Sequence, residues 1–358
     1  MQSLFESLEF KHGPAMPNRF MLAPLTNSQS HEDGLLSHEE FVWLTMRAQG
    51  GFGLTMTCAS HVQELGKGFP GQLGCFSDDH LDGLTRLAKA IREHNSVSSL
   101  QLYHGGMRCP EEVTGVQPVC PSADEETHSR AMTEAEVHQV IADFISAAER
   151  AERAGFEGVE LHGAHGYLIC QFLSAEINRR DDEFGGSLEN RSRMLQQIIS
   201  GIRSRCGADF QLGLRLSPER FGMQLGEIIE LTQELMREDQ LDYLDMSLWD
   251  VFKEPEEAEF KGRSLMSYFT ELDRGTTRLG VAGKIFQPDE AIQCLDAGCD
   301  FVIQGRAGIL HHDYPNRLKQ DPGFSPAMLP VTRDYLRSEG LSDRFLDYMS
   351  RWPGFIEG

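Results

Sequence analysis

Eight short apolar segments recur along the chain, and amphipathic stretches separate most of them. The segments are RFMLAP from Arg19, GLTMTCAS from Gly53, VSSLQLY from Val97, FEGVELH from Phe156, FQLGLRLS from Phe210, LDYLDMS from Leu241, RLGVAG from Arg278 and DFVIQG from Asp300. Near-continuous apolar runs of this length suit strands covered on both faces, which is the environment of a parallel sheet wrapped by helices. Helices are expected at about 79–94, 133–154, 189–206, 226–238 and 288–297. The clearest starts at Thr133: Thr-Glu-Ala-Glu is a capping box, Val137, Val140, Ile141, Phe144, Ile145 and Ala148 form one apolar face, and Gly155 stops the run. Eight strand-and-helix units point to an α/β chain folded as a (β/α)8 TIM barrel, a single domain over residues 1–358. Two segments, at about 105–131 and 249–263, are too long for plain connectors and are expected at the rim, with a C-terminal extension from about residue 320.

A formal charge of −22 disfavours nucleic acid and anionic membrane as partners, because like charge repels both. No apolar run approaches the ~20 residues that span a bilayer. No secretory signal is visible in MQSLFESLEFKHG, so a cytoplasmic protein is expected. The eight cysteines form no CxxC pair, which argues for reduced packing residues rather than a zinc ribbon or iron–sulfur cluster.

In a barrel of this kind the catalytic groups sit at the carboxyl ends of strands, and phosphate is commonly held after strands seven and eight. Polar residues stand there: Thr26, Gln101, His104, His162, His165, Arg215 and Ser217, with Gly283, Gly305 and Arg306 after the last two strands. His162 and His165, in LHGAHGYLICQFLS, have no helical i, i+4 spacing and no nearby carboxylate to complete a metal set. They suit two donors to one substrate oxygen, with Tyr167 as a general acid; the plain alternative is a pair of core histidines satisfied by backbone. Arg215 lies in an otherwise buried strand and needs either an ion-pair partner or a cofactor. Gly283, Gly305 and Arg306 suit a phosphate, through open backbone amides and a bidentate guanidinium. The stretch RRDDEFGGSLENR from Arg179 reads by composition as a solvated loop.

Together these residues resemble the Old Yellow Enzyme family of FMN-dependent ene-reductases and NADH:flavin oxidoreductases, over nearly the whole chain. The resemblance is carried by NRFMLAPLT from Asn18, RAQGGFGL from Arg47, SLQLYHGG from Ser99, GVELHGAHGYLICQFLS from Gly158, NRRDDEFGGSLENR from Asn178, GLRLS from Gly213 and QGRAG from Gln304. It implies non-covalent FMN, with NADPH or NADH as reductant and a small activated alkene as substrate. Ala23, Pro24 and Thr26 would line the flavin, Ala59 and Gln101 would touch its ring, Arg215 would lie by N1 and O2, and Gly283, Gly305 and Arg306 would hold the phosphate. His162 and His165 would bind the activating oxygen, and Tyr167 would protonate the α carbon after flavin N5 gives hydride to the β carbon. Family members are often dimers or tetramers, so a homo-oligomer is expected, and in some a C-terminal arginine, here Arg351, enters a neighbouring site.

The chain departs from the family pattern in three places. Arg108 falls one place late in the His-x-Gly-Arg motif, Asn27 and Ser28 stand where some members carry an aromatic substrate contact, and HHDYP from His311 replaces the usual Asp-Pro. The cysteine pattern of the longer, cluster-bearing relatives is absent, which suggests the short FMN-only form. Two rival readings use the same residues. One is a flavin-free, phosphate-binding barrel lyase or aldolase, whose only strand-end lysine is Lys284. The other is a non-catalytic flavin-binding protein.

Overall fold

The structure, a computed structural model, describes residues 1–357. Its barrel strands are β1 (Phe20–Leu22), β2 (Leu54–Met56), β3 (Val97–Tyr103), β4 (Gly158–Gly163), β5 (Gln211–Leu216), β6 (Tyr243–Ser247), β7 (Arg278–Ala282) and β8 (Phe301–Gln304). Each pairs in parallel with the next, and β1 pairs with β8, so the sheet closes and leaves no free edge. All eight expected strands are present; β3 has the expected bounds, β4 starts two residues late and runs one residue past His162, and the others are shorter than the apolar runs that announced them.

Alternation along the strands divides the core in two. Leu100, Leu102, Val159, Leu161, Leu212, Leu214, Leu244 and Met246 face outward into an apolar shell shared with the helices. Inside, Met21, Ala23, Leu54, Met56, Ala282, Phe301 and Ile303 line an apolar half built from β1, β2, β7 and β8. An antiparallel bridge between Leu8 and Met16 plugs the amino ends of the strands and adds Leu8, Phe10 and Met16 to that inner cluster.

The surrounding helices are α1 (His38–Gln49), α2 (Leu81–Glu93), α3 (Glu134–Arg153), α4 (Leu188–Arg205), α5 (Leu225–Glu238) and α6 (Pro288–Asp296). On α3, Thr133 accepts from the Glu136 amide and Glu136 returns to the Thr133 amide, so the capping box is formed. Gly155 follows at φ +87°, the left-handed turn-off that a side chain resists. Helix α1 has no clear apolar period because its inner face carries charge. Glu40 is buried on Ser30 and Asn27, and Arg47 is buried on the Gly308 carbonyl, with its guanidinium 4.2 Å from the Trp43 ring centre.

The charged stretch 179–191 is solvated only in part: Arg179, Asp181, Glu183 and Glu189 are exposed, but its remaining anchors turn inward. Phe184 is fully buried, and the Asn178 amide donates to the Phe172 and Phe184 carbonyls at 2.7 Å each. Arg180 turns inward to the Pro121 carbonyl at 2.9 Å, and Arg191 reaches the Leu173 carbonyl and Glu227. Arginine forks satisfying carbonyls tie the loop after β4 to the rim and to α5, and composition alone does not distinguish that use from exposure.

The C-terminal extension folds back over the β1 end of the barrel. Val331 bridges to Ile356, the Ser342 amide donates to Gln29 at 3.1 Å, and Phe345 packs edge-on against Trp43 at 5.4 Å. The rim segment 105–131 carries a small two-stranded sheet, Val119–Cys120 with Arg130–Ala131.

Candidate active site

At the carboxyl end of β4 the backbone turns sharply. His165 adopts φ +58° and Gly166 φ +71°, before Tyr167 opens a short helix at Leu168–Leu173. A left-handed histidine costs of order 1–3 kcal/mol and persists only where its surroundings hold it. Here the His165 amide donates to Ser217 at 3.0 Å, its Nε2 meets the Ser247 hydroxyl at 2.8 Å, and its carbonyl accepts from Arg108.

The turn gathers three rings. His162 and His165 are perpendicular with centroids 5.1 Å apart, and Tyr167 lies 5.0 Å from His162 and 6.5 Å from His165. His162 Nδ1 accepts the Ala164 amide at 3.4 Å, which assigns the ring proton to Nε2, the end left free to donate. Tyr167 is held between Tyr103, 4.5 Å away edge-on, and the Arg108 guanidinium, 4.7 Å from its ring centre. The displaced Arg108 therefore still returns to this site. Among the described residues, the side-chain groups close enough to share a metal ion include neither histidine.

Burial drives both imidazoles well below the usual histidine range, and Arg215 and Arg108 push the same way. They stand as neutral N–H donors at neutral pH. Burial also lowers His61 to about 4 and His104 to about 3. All four bind fewer protons folded than unfolded, so their contribution is complete above the unfolded value near 6.5 and is lost as pH falls below it. The loss is about 1.4 kcal/mol per pH unit for each group. The urea midpoint should therefore drop clearly between pH 7.5 and pH 5, before most carboxylates titrate; an unchanged midpoint would contradict the neutral assignment.

Inside the barrel, β3 to β6 form a polar half. The register sets Gln101 beside Glu160, and one step nearer the mouth sets His162, Arg215 and Asp245 side by side. Gln101 donates to Glu160 at 2.7 Å. Arg215 approaches Asp245 with Nε 3.0 Å from Oδ2 and donates from Nη2 to Ser247 at 3.2 Å. The expected ion-pair partner of Arg215 thus exists, but the pair is ionic contact without an aligned hydrogen bond: Arg215 Nε and both Asp245 oxygens have no hydrogen-bond partner.

Thr26 lies in the loop after β1, and Ala23 and Ala59 are small and buried at the β1 and β2 ends. Asn27 turns away into the protein to Glu40, and the aromatic side chain near Thr26 is Tyr348 from the C-terminal helix Asp343–Met349. Burial raises the Tyr348 phenol, the neighbouring Thr26 hydroxyl opposes that rise, and Tyr167 is close enough to add to it. Phe221, exposed and at φ +55°, places its ring 6.4 Å edge-on from His165. Sequence reasoning missed Tyr103, Phe221, Tyr348, Ser247, Glu160 and Asp245. Tyr103 and Glu160 carried a signal, their two-residue spacing from Gln101 and His162, and Asp245 and Ser247 share that alternation along β6.

The loops after β7 and β8 meet where Arg306 lies over the Phe286 ring, 4.8 Å from its centre, with no carboxylate paired to it among the described residues. A side chain at Gly305 would meet only Leu25 at 3.4 Å and Ala23 at 3.9 Å, so this backbone is open toward the β1 loop. An unpaired arginine beside open glycine backbone, an apolar barrel half and a buried guanidinium with an unsatisfied Nε fit FMN: a phosphate, an isoalloxazine face and a pyrimidine edge that gains negative charge. Gln101 is partly committed already, since its amide nitrogen binds Glu160.

Residues 3–322 match the NADH:flavin oxidoreductase / NADH oxidase family. The probable NADH-dependent flavin oxidoreductase YqiG of Bacillus subtilis is 34% identical over 328 residues, covering 88% of each chain. The Old Yellow Enzyme homologue from Zymomonas mobilis superposes with a TM-score of 0.81 at 26% identity, over 96% of this chain and 99% of that one. Morphinone reductase in complex with tetrahydroNAD superposes with a TM-score of 0.79 at 27% identity, over 96% and 97%. With the barrel and the cofactor cradle in place, this chain belongs to the NADH:flavin oxidoreductase / NADH oxidase family, the Old Yellow Enzyme group, and is an oxidoreductase that uses non-covalent FMN and takes its electrons from NAD(P)H.

Proposed function

We propose that the enzyme reduces a C=C bond conjugated to a carbonyl or nitro group. The reading rests above all on the convergence of His162, His165 and Tyr167 within 5.0–6.5 Å of one another at the end of β4. Bound FMN supplies the hydride to the β carbon. His162 and His165 donate hydrogen bonds to the activating oxygen, where negative charge develops as the alkene is reduced, and neutral imidazoles do this without repelling Arg215. Tyr167, clamped between Tyr103 and Arg108, delivers the proton to the α carbon.

In this reading Ala23, Pro24, Thr26, Ala59, Gln101 and Arg215 line the isoalloxazine, while Gly283, Gly305 and Arg306 hold the phosphate. The whole chain serves as one FMN-binding unit, with segments 105–131 and 249–263 shaping the entrance. Tyr167→Phe tests the acid role. Stopped-flow oxidation of the reduced protein by an enone should slow on the order of 10²–10⁴-fold, while reduction by NAD(P)H stays near the wild-type rate. Equal enone rates in the two proteins would remove Tyr167 from the role.

A further inference from the structure

The polar half of the barrel holds more acid than the reaction above uses. Glu160 and Asp245 are both fully buried on neighbouring rows of the interior, with one guanidinium, Arg215, beside Asp245 on the row nearer the mouth. Tyr243 reaches into the same space because β5 offers a glycine opposite it: a Cβ on Gly213 would lie 2.1 Å from Tyr243 Cζ. The other titratable or charged groups facing the cluster are His162 and His165 from the mouth and, toward the floor, Asp242, which is already bound to Arg203 at 2.7 Å and His12 at 2.9 Å.

The hydrogen bonding leaves room for a proton. Glu160 Oε1 accepts from Gln101, while Glu160 Oε2, both Asp245 oxygens and the Tyr243 hydroxyl have no aligned partner. Two ionised carboxylates against one guanidinium would leave an uncompensated buried charge, which costs several kcal/mol. The balance of forces agrees. Burial pushes the Glu160 carboxyl up and the Asp245 charge adds to it, over the opposition of Arg215 and Gln101. Burial raises Asp245 as well, in spite of its guanidinium partner.

We propose that Glu160 and Asp245 are a buried proton-sharing pair, coupled through Arg215, that takes up one proton from solvent when reduction places negative charge beside that guanidinium, and releases it on reoxidation. This rests on the placement of Arg215 beside the FMN. NAD(P)H gives up a hydride and leaves as NAD(P)⁺; the carboxylate oxygen binds a proton from water, and no other bond changes. Arg215 cannot neutralise a new anion and Asp245 together, so the pair answers the added charge by protonation. Glu160 and Asp245 act through Arg215 and are positioning residues; the Ser247 hydroxyl, shared by Arg215 and His165, carries the same coupling toward the substrate.

The test is the flavin midpoint potential against pH in the FMN-loaded protein, together with protons taken up from weak buffer per two electrons supplied electrochemically. Wild type should take two protons per two electrons around neutral pH, one on the flavin and one on the pair. Because one carboxyl of the pair is already protonated before reduction, Glu160→Gln and Asp245→Asn should each still take two, while the double variant, with neither carboxylate left beside Arg215, should take one, halving the slope of potential against pH. Infrared difference spectra on reduction should show a gained protonated carboxyl band in wild type that the double variant lacks. One proton per two electrons in wild type, or an unchanged slope in the double variant, overturns the pairing. Should the double variant fail to fold, the wild-type count and infrared band decide alone. An Arg215→Lys protein with an unmoved potential would instead displace Arg215 from the flavin, a different failure.

Discussion

Replacing Arg215 with methionine should release FMN and destabilise the folded chain in a pH-dependent way. Among the described residues the guanidinium is the only cation in the polar half of the barrel interior, 3.0 Å from the fully buried Asp245. Removing one partner of a buried pair leaves the other uncompensated, at about 3–5 kcal/mol. Part of that cost is escaped by protonation, since without Arg215 the Asp245 carboxyl rises further above its unfolded value near 3.9. A group with a raised folded pKa contributes fully below its unfolded pKa and loses that contribution as pH rises, so the deficit should be small near pH 5 and wide near pH 8. Urea unfolding of the apoproteins at both pH values checks this. FMN affinity, followed by flavin fluorescence, should fall about 10- to 100-fold for the lost charge-assisted hydrogen bonds. Equal stability of variant and wild type at pH 8 would mean that the Asp245 charge is compensated elsewhere.

The His162→Ala, His165→Ala double variant should keep FMN and lose its oxygen ligands. Each hydrogen bond to a charged oxygen is worth about 1.5–3 kcal/mol, so removal of both should weaken binding of a substituted phenol by at least roughly 100-fold. Phenol titration monitored by the flavin spectrum reads the affinity, and the spectrum without phenol reports whether FMN is retained. The effect should not depend on stability, because both rings lie at the mouth and the barrel floor is closed independently by Leu8, Phe10 and Met16. Unchanged phenol affinity would refute the donor role of both imidazoles.

The barrel was legible because its strands are buried on both faces, which writes them as apolar runs, and because α3 carries both an apolar stripe and a capping box. Helix α1 was not, since Glu40 and Arg47 occupy its inner face and their partners, Ser30, Asn27 and Gly308, are set by tertiary structure. Within the site, His162, His165, Tyr167 and Arg215 stood out as polar residues at strand ends. The same rule applied to GVELHG and LDYLDMS singles out Glu160 and Asp245, acids inside apolar strands just as Arg215 is a cation inside one. Tyr348 had no comparable signal: it reaches Thr26 only because the C-terminal segment folds back across α1, a contact between chain ends that no local pattern encodes.

The most direct measurement is the visible spectrum of the anaerobic FMN-loaded protein, first with NADH or NADPH and then with cyclohexenone. Bleaching of the flavin band by the nicotinamide, followed by its return on adding the enone, is the expected result and establishes both half-reactions. A band that bleaches with the nicotinamide but stays bleached with cyclohexenone, an enal and a nitroalkene alike would contradict the assignment of His162, His165 and Tyr167 to reduction of an activated C=C bond.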